Sequence, residues 1–265
     1  MIRKHLLVFI RFIEISWKTS LEYLDDLIIM ILDFAVVIVL SIVFWTSIFS
    51  NISNIADWTL AELTVIPIFS SAVFSLSESV AGSWQLPEKI VNGSLDKYMC
   101  KPINALFASV MEGMQFDEII KGIVTFVLFI VYYFLRYQVT FSVIGFLSAF
   151  GGIIAGTVIL ILFRVSISLL TFWLGNTRSI GDIIHLENLG LEKYPLQIYS
   201  HPLQLFFSTV LPVGVIGCIP AMLMFGKFFS RGSILVFEMI LIAIYSTICY
   251  LLWHFGIRKY ESSGG

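Results

Sequence analysis

The chain has 265 residues, 58% of them hydrophobic and only 13% charged, with a net charge of −2 and a mean hydropathy of +0.94. These values lie outside the range of soluble globular proteins, and the apolar runs reach the roughly 20 residues that a transmembrane helix needs. The runs are continuous rather than alternating, which argues against a transmembrane barrel. The three cysteines lack the spacing of a disulfide framework or a metal site. We therefore expect an all-α integral membrane protein.

Residues 1–23 are predicted to form an amphipathic helix lying in the membrane interface. Apolar residues recur there at three- and four-residue spacing: Leu6, Phe9, Ile13 and Trp17. An ordinary surface helix packed on the protein is the alternative. Arg11 interrupts the first apolar run, so the segment is not expected to be a cleaved signal peptide.

Residues 24–260 are predicted to form a transmembrane domain with six membrane-spanning helices. The spans are residues 27–49, 58–81, 119–137, 141–164, 203–225 and 234–255. The fourth apolar run continues to Leu174. Arg164 is therefore expected to mark the inner interface, with the rest of that helix projecting into the cytoplasm. Residues 261–265 are expected to be a flexible tail.

The distribution of Lys and Arg predicts the orientation of the chain. With both termini in the cytoplasm, the outer segments carry only Arg136, Lys227 and Arg231, and the other loop cations fall inside. The two longer loops, 82–118 and 175–202, then face the cytoplasm, and a short helix is predicted within the second, over Ser179–Asn188. A large partner is therefore expected on the cytoplasmic side of a multi-pass protein of the cell (inner) membrane.

Residues 82–102 interrupt the apolar pattern with a short amphipathic segment. Pro87 is expected to open a helix, with Glu88 in its first turn, and Asn92 and Gly93 to close it. Further residues are expected to offer apolar contacts or to face the cytoplasm: Ile90 and Leu95, and Lys89, Lys97 and Lys101. We interpret this segment as the contact with a soluble partner.

The sequence lacks the motifs of an ATPase or of an intramembrane enzyme. Gly226-Lys227 is followed by Phe and has no upstream glycine, so it is not a Walker A sequence. There is no Gly-x-Ser-x-Gly and no His-Glu-x-x-His. We expect a non-enzymatic subunit that binds no cofactor or metal and takes its energy from another subunit or from an ion gradient.

Ionisable residues within predicted spans are costly and are functional hypotheses by default. Asp33, Glu78 and Arg164 lie at similar predicted depths and are expected to neutralise one another. The alternative is a purely structural set of ion pairs, or snorkelling at the interface. Glu238 lies about one turn into the sixth span and is expected to reach the headgroups.

The fifth predicted span contains Pro212 and Pro220, with Gly214 and Gly217 between them. Because proline breaks helical hydrogen bonding and irregular backbone in a membrane needs cover, this span is expected to break into a re-entrant outer segment. A kinked but continuous helix is the alternative. In the fourth span, Gly152-Ile-Ile-Ala-Gly156 forms a small-residue face, which more often packs within its own bundle than between subunits.

Several dispersed stretches carry a resemblance to a known family. They are Ile90-Val-Asn-Gly93-Ser-Leu95-Asp96-Lys-Tyr98 through Lys101-Pro102, Trp173-Leu-Gly-Asn176-Thr177, Tyr194-Pro195-Leu-Gln-Ile-Tyr199, Leu211-Pro212, and Ile219-Pro220-Ala221. With the six-span layout, they make the whole chain resemble the permease subunits of type-2 ATP-binding-cassette exporters, in a bacterial six-span subgroup.

The resemblance implies a partner, a coupling site and a path. A cytoplasmic ATPase pair that binds ATP and Mg²⁺ would dock on the loop after the second span, and a second six-span permease, identical or homologous, would pair with this chain. The implied coupling residues are Trp84, Pro87, Glu88, Lys89, Ile90, Asn92, Gly93, Leu95 and Asp96. The path or gate is expected to involve Asp33, Glu78, Arg164, Pro212 and Pro220. The expected cargo is lipophilic or amphipathic: a drug, a peptide or a lipid-like molecule.

An ATP-independent secondary transporter or channel subunit is the main alternative from another class. Such transporters often contain internal repeats and an ion site at the membrane midplane. The two halves of this chain show no evident similarity, and no midplane carboxylate cluster stands out. A structural scaffold is a third, less supported reading.

Overall fold

A computed structural model describes residues 11, 14, 17, 18, 24–80, 82–137, 142–178 and 190–261. In chain order the α-helices are α1 Leu24–Phe49, α2 Leu60–Leu63, α3 Val65–Glu78, α4 Gly82–Val91, α5 Asp96–Met99, α6 Ala105–Met111, α7 Phe116–Tyr137, α8 Val143–Leu169, α9 Thr171–Leu174, α10 His201–Thr209, α11 Cys218–Phe225 and α12 Arg231–Gly256. Short 3₁₀ turns are Leu191–Lys193, Leu196–Ile198 and Ile257–Lys259. The predicted all-α class is confirmed.

Three helical stretches of the described residues are long and apolar enough to cross a membrane: Leu60–Val91, Val143–Leu174 and Arg231–Lys259. They correspond to the second, fourth and sixth predicted spans, while the total of six spans stays a prediction. Most of the predicted interfacial helix and the whole predicted helix Ser179–Asn188 lie outside the described residues. Of the N-terminal segment, Trp17 packs edge-on against Phe116 at the start of α7, with ring centroids 4.7 Å apart.

Helix α8 is the centre of the bundle and packs against α3, α4, α11 and α12. Glycines on α8 allow residues 215–223 to pack directly against its backbone. A Cβ at Gly156 would overlap the carbonyl oxygen of Val215, and a Cβ at Gly152 would lie 2.6 Å from Leu223 Cδ1. The small-residue face of α8 therefore packs within its own bundle.

Residues 201–225 form a helical hairpin and not one crossing. The predicted bounds of the fifth span, 203–225, are therefore wrong, whereas the expected break into a re-entrant segment agrees with the structure, which has no kinked continuous helix here. Arg231 Nε, at the start of α12, donates to the carbonyl oxygen of Leu223 at 2.8 Å, close to the end of α11. His201, at the start of α10, lines a cavity with Ser233 of α12. The turn lies beside Tyr245, whose hydroxyl donates to Thr209 O at 2.7 Å. Tyr245 is about 21 Å along α12 from Arg231.

The break itself has the predicted cause. Helical hydrogen bonding stops after α10, where Pro212 has no N–H to donate. The backbone then reverses through irregular bonds, from Val213 N to Leu211 O at 2.6 Å and from Gly214 N to Phe207 O at 2.9 Å. Both ends of this outer hairpin (residues 201–225) lie at the end of the bundle that the charge distribution predicts to be outer.

The prediction that residues 175–202 form a loop on the cytoplasmic side alone is also wrong. Arg178 pairs with Glu88 of α4, whereas Gln197 Oε1 accepts from Trp58 Nε1 at 2.9 Å. Trp58 and Glu88 lie before and after α3, so the chain passes from one end of α3 to the other between Arg178 and Gln197. Apolar residues of 190–198 pack in the bundle, where Leu196 is buried, and the sequence pattern alone did not separate this segment from a loop.

Candidate functional site

Helix α4 begins at Gly82, so the expectation that Pro87 opens the helix is wrong; Pro87 lies inside it. A proline at this position removes the N–H that would bond the carbonyl of Ser83. Ser168 of α8 supplies the missing donor, with its Oγ 2.7 Å from Ser83 O. A Cβ at Gly82 would overlap the carbonyl oxygen of Val110 in α6. Helix α4 is therefore seated tightly between α6 and α8.

The predicted end of this helix at Asn92 and Gly93 is confirmed. The last residue of α4 is Val91, and Gly93 adopts a φ of +71°, which glycine tolerates without the strain of a side chain. The chain then turns back, and Leu95 N donates to Lys89 O at 3.1 Å.

Three predicted partner-facing residues of this segment point into the protein instead. Ile90 and Leu95 are buried in a cluster with Leu86 and Tyr98. Lys89 is also buried, its Nζ donating to Ser109 O at 2.7 Å and pairing with a carboxylate oxygen of Glu112 at 3.2 Å. A buried cation needs such partners, so Lys89 fastens α4 to α6 and does not mark the outer face of the segment.

The surface left on this segment is small and mixed. Val91 is 53% exposed and Met99 49% exposed, and Asn92 and Lys97 lie beside them, also exposed. We call these four residues the coupling face. Sequence reasoning missed Val91 and Met99 because an apolar residue in an apolar chain suggests a core position. For Val91, the available signal was its offset from the buried Leu86 and Ile90 of α4; Met99, in α5, had no such signal.

The other predicted coupling residues fall into two groups. Pro87 and Gly93 are buried. Trp84, Glu88 and Asp96 are half-buried, and Glu88 is the residue that pairs with Arg178. Of the predicted set, therefore, Asn92 alone is exposed.

A buried arginine joins the end of α3, the start of α4 and the C-terminal half of α8. Arg164 is 3% exposed; its guanidinium lies 2.6 Å from a carboxylate oxygen of Glu78 and donates to Ser77 Oγ at 2.9 Å. The same group lies over the ring of Trp84, 4.7 Å from its centroid, and Trp84 Nε1 donates to Glu78 Oε2 at 3.1 Å. We call Arg164, Ser77, Glu78 and Trp84 the arginine clamp.

The clamp accounts for part of the predicted charged set. Glu78 and Arg164 meet as expected, whereas the side chain of Asp33, in α1, is not among those described. Arg164 does not end the packed part of α8, because Val165 and Leu169 beyond it are buried against α4 and α6. Pro212 and Pro220 lie apart from the clamp, in the outer hairpin.

The hydrogen bond from Ser168 gives a testable prediction. Ser168→Ala leaves the carbonyl of Ser83 buried and unbonded, so the free energy of unfolding in detergent is expected to fall by about 1–2 kcal/mol. Pro87→Ala supplies an N–H to the same carbonyl, so adding Ser168→Ala to it is expected to cost less than half as much. Ser148→Ala is the control, because the one bond that Ser148 makes among the described residues is within α8, to Ile144 O. If Ser168→Ala lowered the free energy of unfolding equally in the wild-type chain and in the Pro87→Ala variant, Ser168 would not be replacing the donor that Pro87 lacks.

These helices define a membrane protein whose bundle is joined rigidly to a small amphipathic surface at one end. Comparison with known protein families matches residues 35–264 to the family described as ABC-2 family transporter protein. The chain belongs to this family and is a transporter permease, so the resemblance is confirmed at the level of the family. No curated protein matches the chain.

Proposed function

We propose that this chain is the membrane-spanning subunit of an ATP-driven exporter of the cell (inner) membrane, with both termini in the cytoplasm. A separate ATPase pair, which binds the ATP and Mg²⁺, docks on the coupling face. A second permease, identical or homologous, completes the complex. Family membership supports the pairing, and the arginine clamp is the observation that supports α4 as the element through which force enters.

The contacts of α4 suggest how motion passes into the bundle. When the ATPase closes, it pushes on α4 and α5. Because the clamp and the bond from Ser168 to Ser83 tie α4 to α3 and α8, these helices move together as a rigid body. Helix α8 in turn contacts the outer hairpin at Gly156 and Val215. A displacement at the cytoplasmic end therefore reaches the predicted outer end without local unfolding.

An exposed apolar face on α1 supports a lipophilic or amphipathic substrate. The exposed residues recur at helical spacing: Ile29, Leu32, Val36, Val39 and Val43. Next to this face, a cavity of about 350 Å³ is lined by aromatic residues and one cation, including Phe44, Trp45, Tyr194 and Lys193. In the complex, this face of α1 and the cavity contribute to the path along the permease interface.

Two charge substitutions test the docking surface. Val91→Asp with Met99→Asp puts two carboxylates on the coupling face, and we expect at least about a tenfold loss of ATPase co-purifying in mild detergent, since two desolvated apolar contacts are lost. Substrate-stimulated ATP turnover is expected to fall in parallel.

Ile52→Asp is the matched control, because Ile52 is 49% exposed but lies between α1 and α2, away from α4. The control is expected to retain the ATPase. Unchanged ATPase recovery with the Val91 and Met99 substitutions, in a protein that folds, would rule out this docking surface.

A further inference from the structure

Glu238 of α12 is a fully buried acid that the account above does not use. The side chain is 0% exposed, so the expectation that it reaches the headgroups is wrong. Both of its carboxyl oxygens lack a hydrogen-bond partner among the described residues. It lies where α8, α11 and α12 meet: a Cβ on Gly152 would be 3.6 Å from Glu238 Oε1 and would also contact Leu223 and Pro220 of α11.

No described cation neutralises this carboxyl. On α12, Arg231 lies almost two turns away, and its guanidinium donates to the carbonyl oxygens of Leu223 and Met224. On α8, residues 143–163 contain no titratable side chain, and Arg164 is held by Glu78. The other titratable groups of α11 and α12 lie elsewhere. Cys218 contacts Gln197, Tyr245 bonds Thr209 and Cys249 donates to Leu162 O. Tyr250 and His254 are at least three turns along α12 from Glu238.

The environment decides the protonation of the acid. An ionised carboxylate placed among apolar groups without a partner costs several kcal/mol, whereas the neutral acid costs far less. Acids of this kind inside membrane bundles commonly mark a proton or substrate site. The packed arrangement of α8, α11 and α12 is therefore compatible with Glu238 only when the carboxyl carries a proton.

A cavity lies next to the acid, although Glu238 itself does not line it. The cavity, of about 280 Å³ between α10, α11 and α12, is lined by Ile234 and Phe237, which stand one turn and one residue before Glu238. His201 and Phe229, both exposed, form part of its wall, so solvent reaches the cavity from the predicted outer end. Among the described residues that line this cavity, His201 is the one with a titratable side chain.

We propose that Glu238 is a proton-binding site whose occupancy holds the outer hairpin closed. With the proton bound, the carboxyl is neutral and α11 packs against α8 and α12. When the proton leaves to water, the remaining carboxylate charge, enclosed by Gly152, Pro220 and Leu223, drives α11 away and admits water. This inference rests on the packing of one chain and does not depend on the ATP-driven function proposed above.

The test uses the full chain in lipid nanodiscs and two readouts. Infrared spectroscopy follows the carbonyl stretch of protonated carboxylic acids, and hydrogen exchange, corrected for the intrinsic effect of pH, follows residues 210–225. Between about pH 6 and about pH 10, the wild-type band is expected to disappear and hairpin protection to fall at least about tenfold. Glu238→Gln is expected to lack that band and to keep the hairpin protected throughout.

Three controls separate this site from others. Glu62→Gln removes a carboxylate that is paired with Lys227, and His201→Gln removes the other titratable group at the cavity; both are expected to behave as wild type. Glu238→Met keeps a neutral side chain of similar size, so it replaces the glutamine variant if that variant fails to fold. Wild-type protection that is independent of pH, or a neutral variant that opens with pH as wild type does, would overturn the proposal.

Discussion

Replacing Arg164 by methionine is expected to lower the free energy of unfolding by about 3 kcal/mol, at the low end of the cost of breaking a buried ion pair. The substitution leaves the carboxylate of Glu78 in the bundle without its cation, and it removes the donor to Ser77. The low end applies because Glu78 is 23% exposed, so water recovers part of its solvation. Denaturant titration in detergent micelles measures the cost.

The clamp also predicts a non-additive result. In a Glu78→Gln background no carboxylate is left to lose its cation. Arg164→Met is therefore expected to lower the free energy of unfolding by less than half as much as it does in the wild-type chain. Arg258→Met is the control, since Arg258 is exposed. Among the described residues its guanidinium hydrogen-bonds only to His254 and lies 5.9 Å from the ring centroid of Phe255, without a carboxylate partner. A cost for Arg164→Met that is equal in the two backgrounds would show that the pair with Glu78 is not what stabilises the junction.

In the assembled complex, Arg164→Met is also expected to uncouple ATP turnover from substrate.

A single methyl group at Gly156 is expected to be as damaging as the loss of Arg164. The added Cβ would overlap the carbonyl oxygen of Val215, and backbone cannot move aside as the end of a flexible side chain can. We expect Gly156→Ala to displace the outer hairpin from α8 and to cost about 2–3 kcal/mol, the upper range for overpacking a core. Unfolding in detergent measures the cost, and hydrogen exchange at residues 210–225 locates it.

Gly151 supplies a control on the same helix. A Cβ there would meet only Leu235 Cδ2, at an ordinary contact distance of 3.9 Å. Gly151→Ala is therefore expected to be neutral or to stabilise by up to about 1 kcal/mol, because alanine favours a helix over glycine. If the two substitutions had the same effect, the close approach of α8 to the hairpin would not exist as described.

The features that local sequence determines were predictable. Apolar runs identified Leu60–Val91, Val143–Leu174 and Arg231–Lys259 as membrane-capable helices, and Asn92-Gly93 identified the end of α4. Pro212 and its neighbouring glycines identified the break after α10. Each of these depends on chain length, hydrogen-bonding capacity or backbone freedom within a few residues.

Where the crossings on either side of a break begin and end depends on distant partners and was not predictable. A run of apolar residues from 203 to 225 has the length of one crossing, yet contacts with Arg231 and Tyr245 fold it into a hairpin. Lys89 was predicted on the cytoplasmic face because of its charge. Glu112 and Ser109, on a later part of the chain, instead pair with its ammonium group and so stabilise it in a buried position. Glu238 was misplaced for the opposite reason, since nothing local shows that α8 and α11 cover it.

The most direct test of the ATP-driven account is to isolate the protein from its native membrane in mild detergent and to measure the intact mass of the complex. The account predicts a cytoplasmic ATPase and two permease subunits, with two ATPase copies, and a second permease mass would distinguish a heterodimer from a homodimer. Recovery of this chain without an ATPase, even after cross-linking in the membrane, would contradict the account and would favour transport driven by an ion gradient.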